Sequence, residues 1–270
     1  MFREIRSVEK VVLITMILSL FTGSMIFGQI YITSDFITVN TVQKGDTYTG
    51  EVSVMNVGDR VERVRLSQND YLFYANGQDV YPEAGYLERS NSSWIQFSLD
   101  DFSVNPGEER TVSYIVRVPS EKELIGSYWS TIMVQAITDT ALNEENEGTA
   151  KVNTALRFAL QVVTEIGDTG IATVEFQNPK HKASDGECCF SVDIENTGEK
   201  HFKLFSSAIV YSSVGSYIGT FPGTRKICYP GSSVKLTVDL PELEKGSYQI
   251  QFIADGGEND IFGALYGLEI

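Results

Sequence analysis

Apolar and polar residues alternate along most of this chain. "YTGEVSVMNVG" (Tyr48 to Gly58), "RTVSYIVRVP" (Arg110 to Pro119) and "KLTVDLP" (Lys235 to Pro241) follow a period of two. They are rich in Val, Ile, Tyr and Thr and end at Gly, Asn or Pro, which are strand and turn signals. After residue 28 no stretch keeps a 3.6-residue apolar period for three turns, so helix is a minor component. The expected fold class is all-β.

The pattern is written twice. The first half reads "VSVMNVGDRVERVRL", "VNPGEERTVSYIVRVP" and "IGSYWSTIMV"; the second reads "FSVDIENTGEKHFKLF", "CYPGSSVKLTVDLP" and "KGSYQIQFIA". Each half runs strand, Asn-x-Gly turn, strand, Pro-Gly turn, Pro-ended strand, Gly-Ser-Tyr, strand. The Pro-Gly pairs are expected to turn one strand of a sheet into its neighbour. Two tandem immunoglobulin-like antiparallel sandwiches explain the duplication better than one large barrel. Their expected limits are 30–166 and 167–270, with "GDTG" (Gly167 to Gly170) as a short linker.

In such sandwiches a Tyr near the start of strand F packs at the E–F corner and bonds to backbone upstream. Tyr128 and Tyr248 fall at that place, and Gly126 and Gly246 before them would relieve the tight corner. In the second half Cys188, Phe190, Val192 and Ile194 share the core face of one strand, which turns Cys189 outward. Cys228 is expected to end a D strand in the same sheet, at the far end from Cys188, so no disulfide within that sandwich is expected.

Charge adds an exclusion. Lys plus Arg number 21 against 36 Asp plus Glu, for a formal net charge of -15. Such a surface repels phosphate backbones, so nucleic acid is not an expected partner. Residues 1–28 read as a signal peptide, with Arg3, Arg6 and Lys10 ahead of the uncharged run Val11 to Gly28. The alternative is an uncleaved N-terminal anchor, because 18 residues is near the lower limit of a membrane span. Membrane association is expected only in that second case. Either way the chain is exported, to the periplasm or the outside of a bacterium.

Catalytic and metal-binding patterns are sparse. His181, in the polar loop "NPKHKASDGE", and His201 belong to no zinc motif, and no G-x-S-x-G precedes a helix. The acidic runs Asp255 to Asp260 and Asn143 to Gly148 lack the ligand order of a calcium loop and read as hairpin tips. No enzyme activity, metal or cofactor is expected. Tyr71, Phe73, Tyr74 and Tyr81 cluster around one hairpin; they read as hairpin packing or as the binding face of a cell-surface module for peptidoglycan, carbohydrate or protein.

"AKVNTALRFALQVV" (Ala150 to Val163) is a long alternating strand. Val152, Thr154, Leu156, Phe158, Leu160 and Val162 line one face, and Asn153, Arg157 and Gln161 line the other. It reads as the half-buried last strand of the first sandwich, or as an edge that offers its main chain to another protein.

The segment Leu87 to Val134 carries Trp94-Ile-x-Phe97, Pro106-Gly-Glu108, Val116-x-Val-Pro119 and Gly126-x-Tyr-Trp129. With this set, residues of about 30–165 resemble the N-terminal domain of PapD-like periplasmic pilus-assembly chaperones. The resemblance implies that Val152, Thr154, Leu156, Arg157, Phe158, Leu160 and Val162 form a strand given to secreted or surface protein subunits. It also implies an Arg on the first strand and a Lys on the last, holding the subunit's terminal carboxylate. Here the first strand, "IYITSDFITVN", has no basic residue, Ala159 holds the Lys position, and Arg157 lies two residues away.

Overall fold

A computed structural model describes residues 30–121, 123–137, 156–184, 187–257 and 260–270. The expected signal segment, Val152, Thr154 and the run Asn143 to Gly148 lie outside these residues. Among the described residues no helix is long and apolar enough to cross a membrane.

The first sandwich holds β1 (Ile30–Ile32), β2 (Ile37–Val42), β3 (Thr47–Asn56), β4 (Glu62–Asn69), β5 (Leu72–Phe73) and β6 (Asp79–Val80). It continues with β7 (Ile95–Phe97), β8 (Asp101–Val104), β9 (Glu109–Arg117), β10 (Gly126–Ile137) and β11 (Arg157–Ile166). One sheet has the order β1-β3-β9-β7 and the facing sheet the order β2-β11-β10-β4-β8, while β5 and β6 form a separate hairpin. The alternation sends Val52, Val54, Val112, Tyr114 and Val116 inward from one sheet, to meet Val64, Leu66, Ile132, Val134, Leu160 and Val162 from the other.

The second half forms β12 (Val174–Ser184), β13 (Glu187–Asn196), β14 (Phe202–Ser212), β15 (Tyr217–Cys228), β16 (Ser233–Asp239), β17 (Ser247–Asp255) and β18 (Ile261–Glu269). They hydrogen-bond in the order β12-β13-β16-β15-β14-β17-β18 around a core of Phe190, Val192, Ile194, Leu204, Leu236, Val238, Ile250 and Phe252.

Three sequence expectations change. The first Pro-Gly turn does not join neighbours of one sheet: β8 and β9, on either side of Pro106-Gly107, lie in facing sheets. The second turn, Pro230-Gly231, does join neighbours, β15 and β16, but it follows a strand that pairs along nearly its whole length with β14. That strand, β15, touches β16 at the single pair Gly223↔Val238, so Cys228 ends a strand held mainly to β14. Pro222 gives no N–H to a ladder, and a Cβ at Gly223 would lie 2.4 Å from the Thr237 carbonyl, so this dipeptide lets the strand bend close past its neighbour. Finally, His181 is not in a loop: it sits in β12, its Nε2 3.2 Å from Cys188 Sγ. Cys188, Cys189 and Cys228 are all free thiols.

The first Asn-x-Gly turn, from β3 to β4, also crosses between sheets, and each Asn-x-Gly turn is bolted to the Pro-Gly turn of its half. Buried Asn56 donates its amide to the Arg60 carbonyl (2.7 Å) and the Val104 carbonyl (2.9 Å), and its Oδ1 accepts from Gly58 N (2.9 Å). Its backbone accepts from Gly107 N at 2.8 Å and donates to Glu108 O at 3.0 Å. Two corners are thereby held by one residue.

The repeated Gly-Ser-Tyr does different work in its two copies. Tyr248 makes the expected corner, its hydroxyl donating to the Glu244 carbonyl at 2.8 Å. Tyr128 packs on Trp94, ring centroids 4.9 Å apart, under the Arg89 guanidinium. The Gly126-Ser127 of that copy faces the second sandwich.

Candidate partner edge and the cleft between the sandwiches

β11 is the strand in question, and its two sides differ. Along one side it pairs with β10 from Gly126↔Ile166 to Gln135↔Arg157. Along the other, β2 pairs with it in parallel, but only over Gln161 to Ile166; the Gln161 N–H also donates to Phe36 O at 2.7 Å. Among the described residues, the main chain of Arg157 to Leu160 is open on that side.

The expected donor residues therefore separate. Val162 (1% exposed) and Leu160 (3%) belong to the protein's own core. Phe158 is half-buried at its rim and Leu156 is 39% exposed beyond it. Arg157 lies on the opposite face, its Nε donating to Gln135 Oε1 at 3.1 Å. Phe36, itself 49% exposed, stands 6.4 Å from Phe158 centroid to centroid. An apolar row thus leaves the core and reaches solvent where the backbone ladder stops. Ala159 adds no charge.

The outer face of β10 and β11 explains why Gly126 to Val134 is buried throughout. Trp129 and Val163, cross-strand partners, point away from the core. They are covered by the β5–β6 hairpin and by Tyr229 of the second sandwich. Trp129 Nε1 donates to the Tyr71 carbonyl at 2.7 Å. Its indole stacks on Tyr229, centroids 5.0 Å apart and planes 12° apart. Phe73 meets the edge of Tyr229 at 5.7 Å, and Ala75 N donates to Ser233 Oγ at 3.0 Å. Tyr71 in turn stacks on Tyr81 at 4.9 Å. Much of the aromatic cluster is thus packing, although Tyr74 and Tyr81 keep exposed faces.

Polar contacts lock the hinge below. Ser127 N donates to the Glu199 carbonyl at 2.8 Å, Gly126 N to Thr169 Oγ1 at 3.0 Å, and His201 N to Ser127 Oγ at 2.9 Å. His201 Nδ1 lies 3.1 Å from Glu165 Oε1, Arg89 pairs with Glu199 at 3.3 Å, and Lys200 with Asp168 at 2.8 Å. Bonding to His201, helped by the Thr41 hydroxyl, holds the Glu165 carboxyl below its ordinary range against the opposing effect of burial. Tyr229 donates its hydroxyl to Gln161, and burial pushes that phenol far up.

Above the hinge a cavity of about 600 Å³ opens between the sandwiches. Its first-sandwich wall is Ile37, Gln161 and the hairpin from Tyr71 to Asp79; its second-sandwich wall carries Lys203, Arg225, Lys226 and Lys235. The resemblance implies a basic pair on the first and last strands of the first sandwich, and this sequence lacks it at both positions apart from Arg157 two residues away. The cations come instead from three strands of the second, where nothing in their alternation marks them. Tyr229, before the Pro-Gly turn, was equally silent. Among the described residues no group of three or more His, Cys, Asp or Glu is placed to hold a metal.

No family model matches the chain, and no curated protein matches it. Among solved structures, the YadV chaperone matches over 89% of this chain and 100% of its own, at 13% identity and a TM-score of 0.44. The class 5 fimbriae chaperone CfaA matches over 87% of this chain and 98% of its own, at 10% identity and a TM-score of 0.47. A Salmonella enterica complex of the SafA pilin with the SafB chaperone matches over 92% of this chain and 99% of the matched chain, at 12% identity and a TM-score of 0.42.

Proposed function

We propose that this chain is an exported, non-enzymatic, chaperone-like protein of the bacterial periplasm or cell surface that binds secreted or surface polypeptides by strand addition. The observation that carries this reading is that, among the described residues, the main chain of Arg157 to Leu160 is open on one side, bordered by the solvent-reaching Leu156, Phe158 and Phe36. A free ladder supplies backbone hydrogen bonds to an incoming strand, and apolar residues beside it supply contact area. An edge of this kind without a lysine, proline or bulge to protect it pairs readily with another chain. The absence of a basic first strand and of a Lys at Ala159 argues that a client is held by this ladder and its apolar rim rather than by a carboxylate clamp on β11.

A photo-crosslinking residue at Arg157, with a control at Arg117 of β9, tests the reading in the native envelope. The expected result is one or a few secreted or surface polypeptides captured at Arg157 and none at Arg117. Silence at both positions, or equal capture at both, would overturn it.

A further inference from the structure

The cleft gathers positive charge in a protein whose acidic residues outnumber its basic ones by 36 to 21. Lys203 of β14, Arg225 and Lys226 of β15, and Lys235 of β16 line one cavity. Lys235 reaches Asp193 at 3.5 Å. Lys203, Arg225 and Lys226 have no ion pair among the described residues, and Arg225 rests over the Phe205 ring at 5.5 Å. Asp79 is the one acidic residue of the lining, and it accepts the Tyr71 hydroxyl at 3.2 Å. Like charges around one concavity repel each other, and a low-dielectric wall focuses their field on whatever enters. An anion relieves that repulsion; a neutral or cationic ligand does not.

The opposite wall selects among anions. Tyr71, Phe73 and Tyr74 face the lysines, and Tyr74 keeps more than a third of its surface exposed. β14 lies between β15 and β17, and β11 at Gln161 lies between β2 and β10, so their main chains are taken up; among the described residues β15 beyond Gly223 and β16 before Val238 each pair on one side only. An acidic extended polypeptide is therefore the competing occupant, and hexaglutamate represents it in the titration below. A ring with an apolar face and charged substituents finds aromatic surface on one side and ammonium and guanidinium groups on the other. The volume is that of a site for a drug-sized ligand.

We propose that this cleft is a binding site for an anionic saccharide, a sugar chain bearing carboxylates or phosphates. The proposal is independent of strand addition, which uses the open edge of β11. Calorimetric titration of the purified protein with trigalacturonate, mannose 6-phosphate, neutral maltotriose and hexaglutamate tests it, at low and at physiological salt. At least one of the two anionic sugars should bind, and comparison of the two assigns the carboxylate or the phosphate. Binding should weaken with salt and should drop by about tenfold or more in K203Q/K226Q, whose changes are on exposed side chains. Tyr74→Ala should weaken it as well, with the unfolding midpoint unmoved in all variants. Failure of both anionic sugars to bind, equal binding of maltotriose, tighter binding of hexaglutamate, or undiminished affinity in K203Q/K226Q would each overturn the proposal.

Discussion

Asn196 repeats in the second sandwich what Asn56 does in the first. Its amide donates to the Lys200 carbonyl at 2.7 Å and the Cys228 carbonyl at 3.1 Å, and its Oδ1 accepts from Gly198 N at 3.0 Å. Its backbone pairs with Gly231 N and Ser232 O as that of Asn56 pairs with Gly107 N and Glu108 O. Replacement by Ala strands two carbonyls and an N–H in a buried corner. Asn56→Ala and Asn196→Ala should each lower stability by about 2–4 kcal/mol in denaturant titrations. A loss under about 0.5 kcal/mol in both would show that water or local shifts satisfy the corner.

Gly126 has φ +69°, and a Cβ there would lie 2.1 Å from the Glu199 carbonyl oxygen. Gly126→Ala should therefore force the two sandwiches apart and cost at least about 2 kcal/mol. Small-angle scattering should report a larger radius and Trp129 emission should shift to the red.

The stack of Trp129 on Tyr229 is a contact between sandwiches with no main-chain component. A double-mutant cycle with Trp129→Leu and Tyr229→Leu should give a coupling energy of about 0.5–1.5 kcal/mol. Additive effects would mean that the rings bury area independently.

The Glu165 carboxyl, held below its ordinary value of 4.5 by His201, sets the acid behaviour of the hinge. A carboxyl depressed in the folded state contributes stability that is present above its unfolded value and is lost as pH falls through the folded one. Thr41 and Lys200 also favour its charged form. The unfolding midpoint should fall as pH drops below about 4.5, and Glu165→Gln should make that limb shallower. Identical acid limbs in the two proteins would remove Glu165 from this role.

Burial pushes the Cys228 thiol up to about 12 and desolvation also raises that of Cys188. Iodoacetamide at neutral pH should leave Cys228 unlabelled in the native protein and label it after denaturation. Native labelling of Cys228 would contradict its burial.

The fold was legible because alternation is a local record of which face is buried. Val52 and Val54, or Val192 and Ile194, announce their strands and cores without reference to anything distant. The corners were legible as turns, but their destination was not. Nothing in Pro106-Gly107 says that the chain changes sheets, because the turn chemistry is the same whichever layer the next strand joins. Contacts across the cleft were least visible. Gly126, Glu199 and Tyr229 are marked by one another's position, and a glycine that admits a carbonyl looks in sequence like one that eases a corner. The last strand was read as alternating, and over its described part, Arg157 to Ile166, the partition into a core part at Leu160 and Val162 and an open part at Arg157 depends on where β2 stops.

The pairing of β10 with β11 spans the distance from the hinge to the open edge, Gly126↔Ile166 at one end and Gln135↔Arg157 at the other. Ten residues of strand, nine steps of about 3.3 Å each, make a stiff arm of about 30 Å. Were the second sandwich held fixed, a tilt of about 10° at the hinge would carry Arg157 through about 5 Å, roughly the spacing between neighbouring strands. Contacts no larger than Ser127 on Glu199 and Trp129 on Tyr229 therefore set, by leverage, where the Arg157 end of β11 stands relative to the second sandwich.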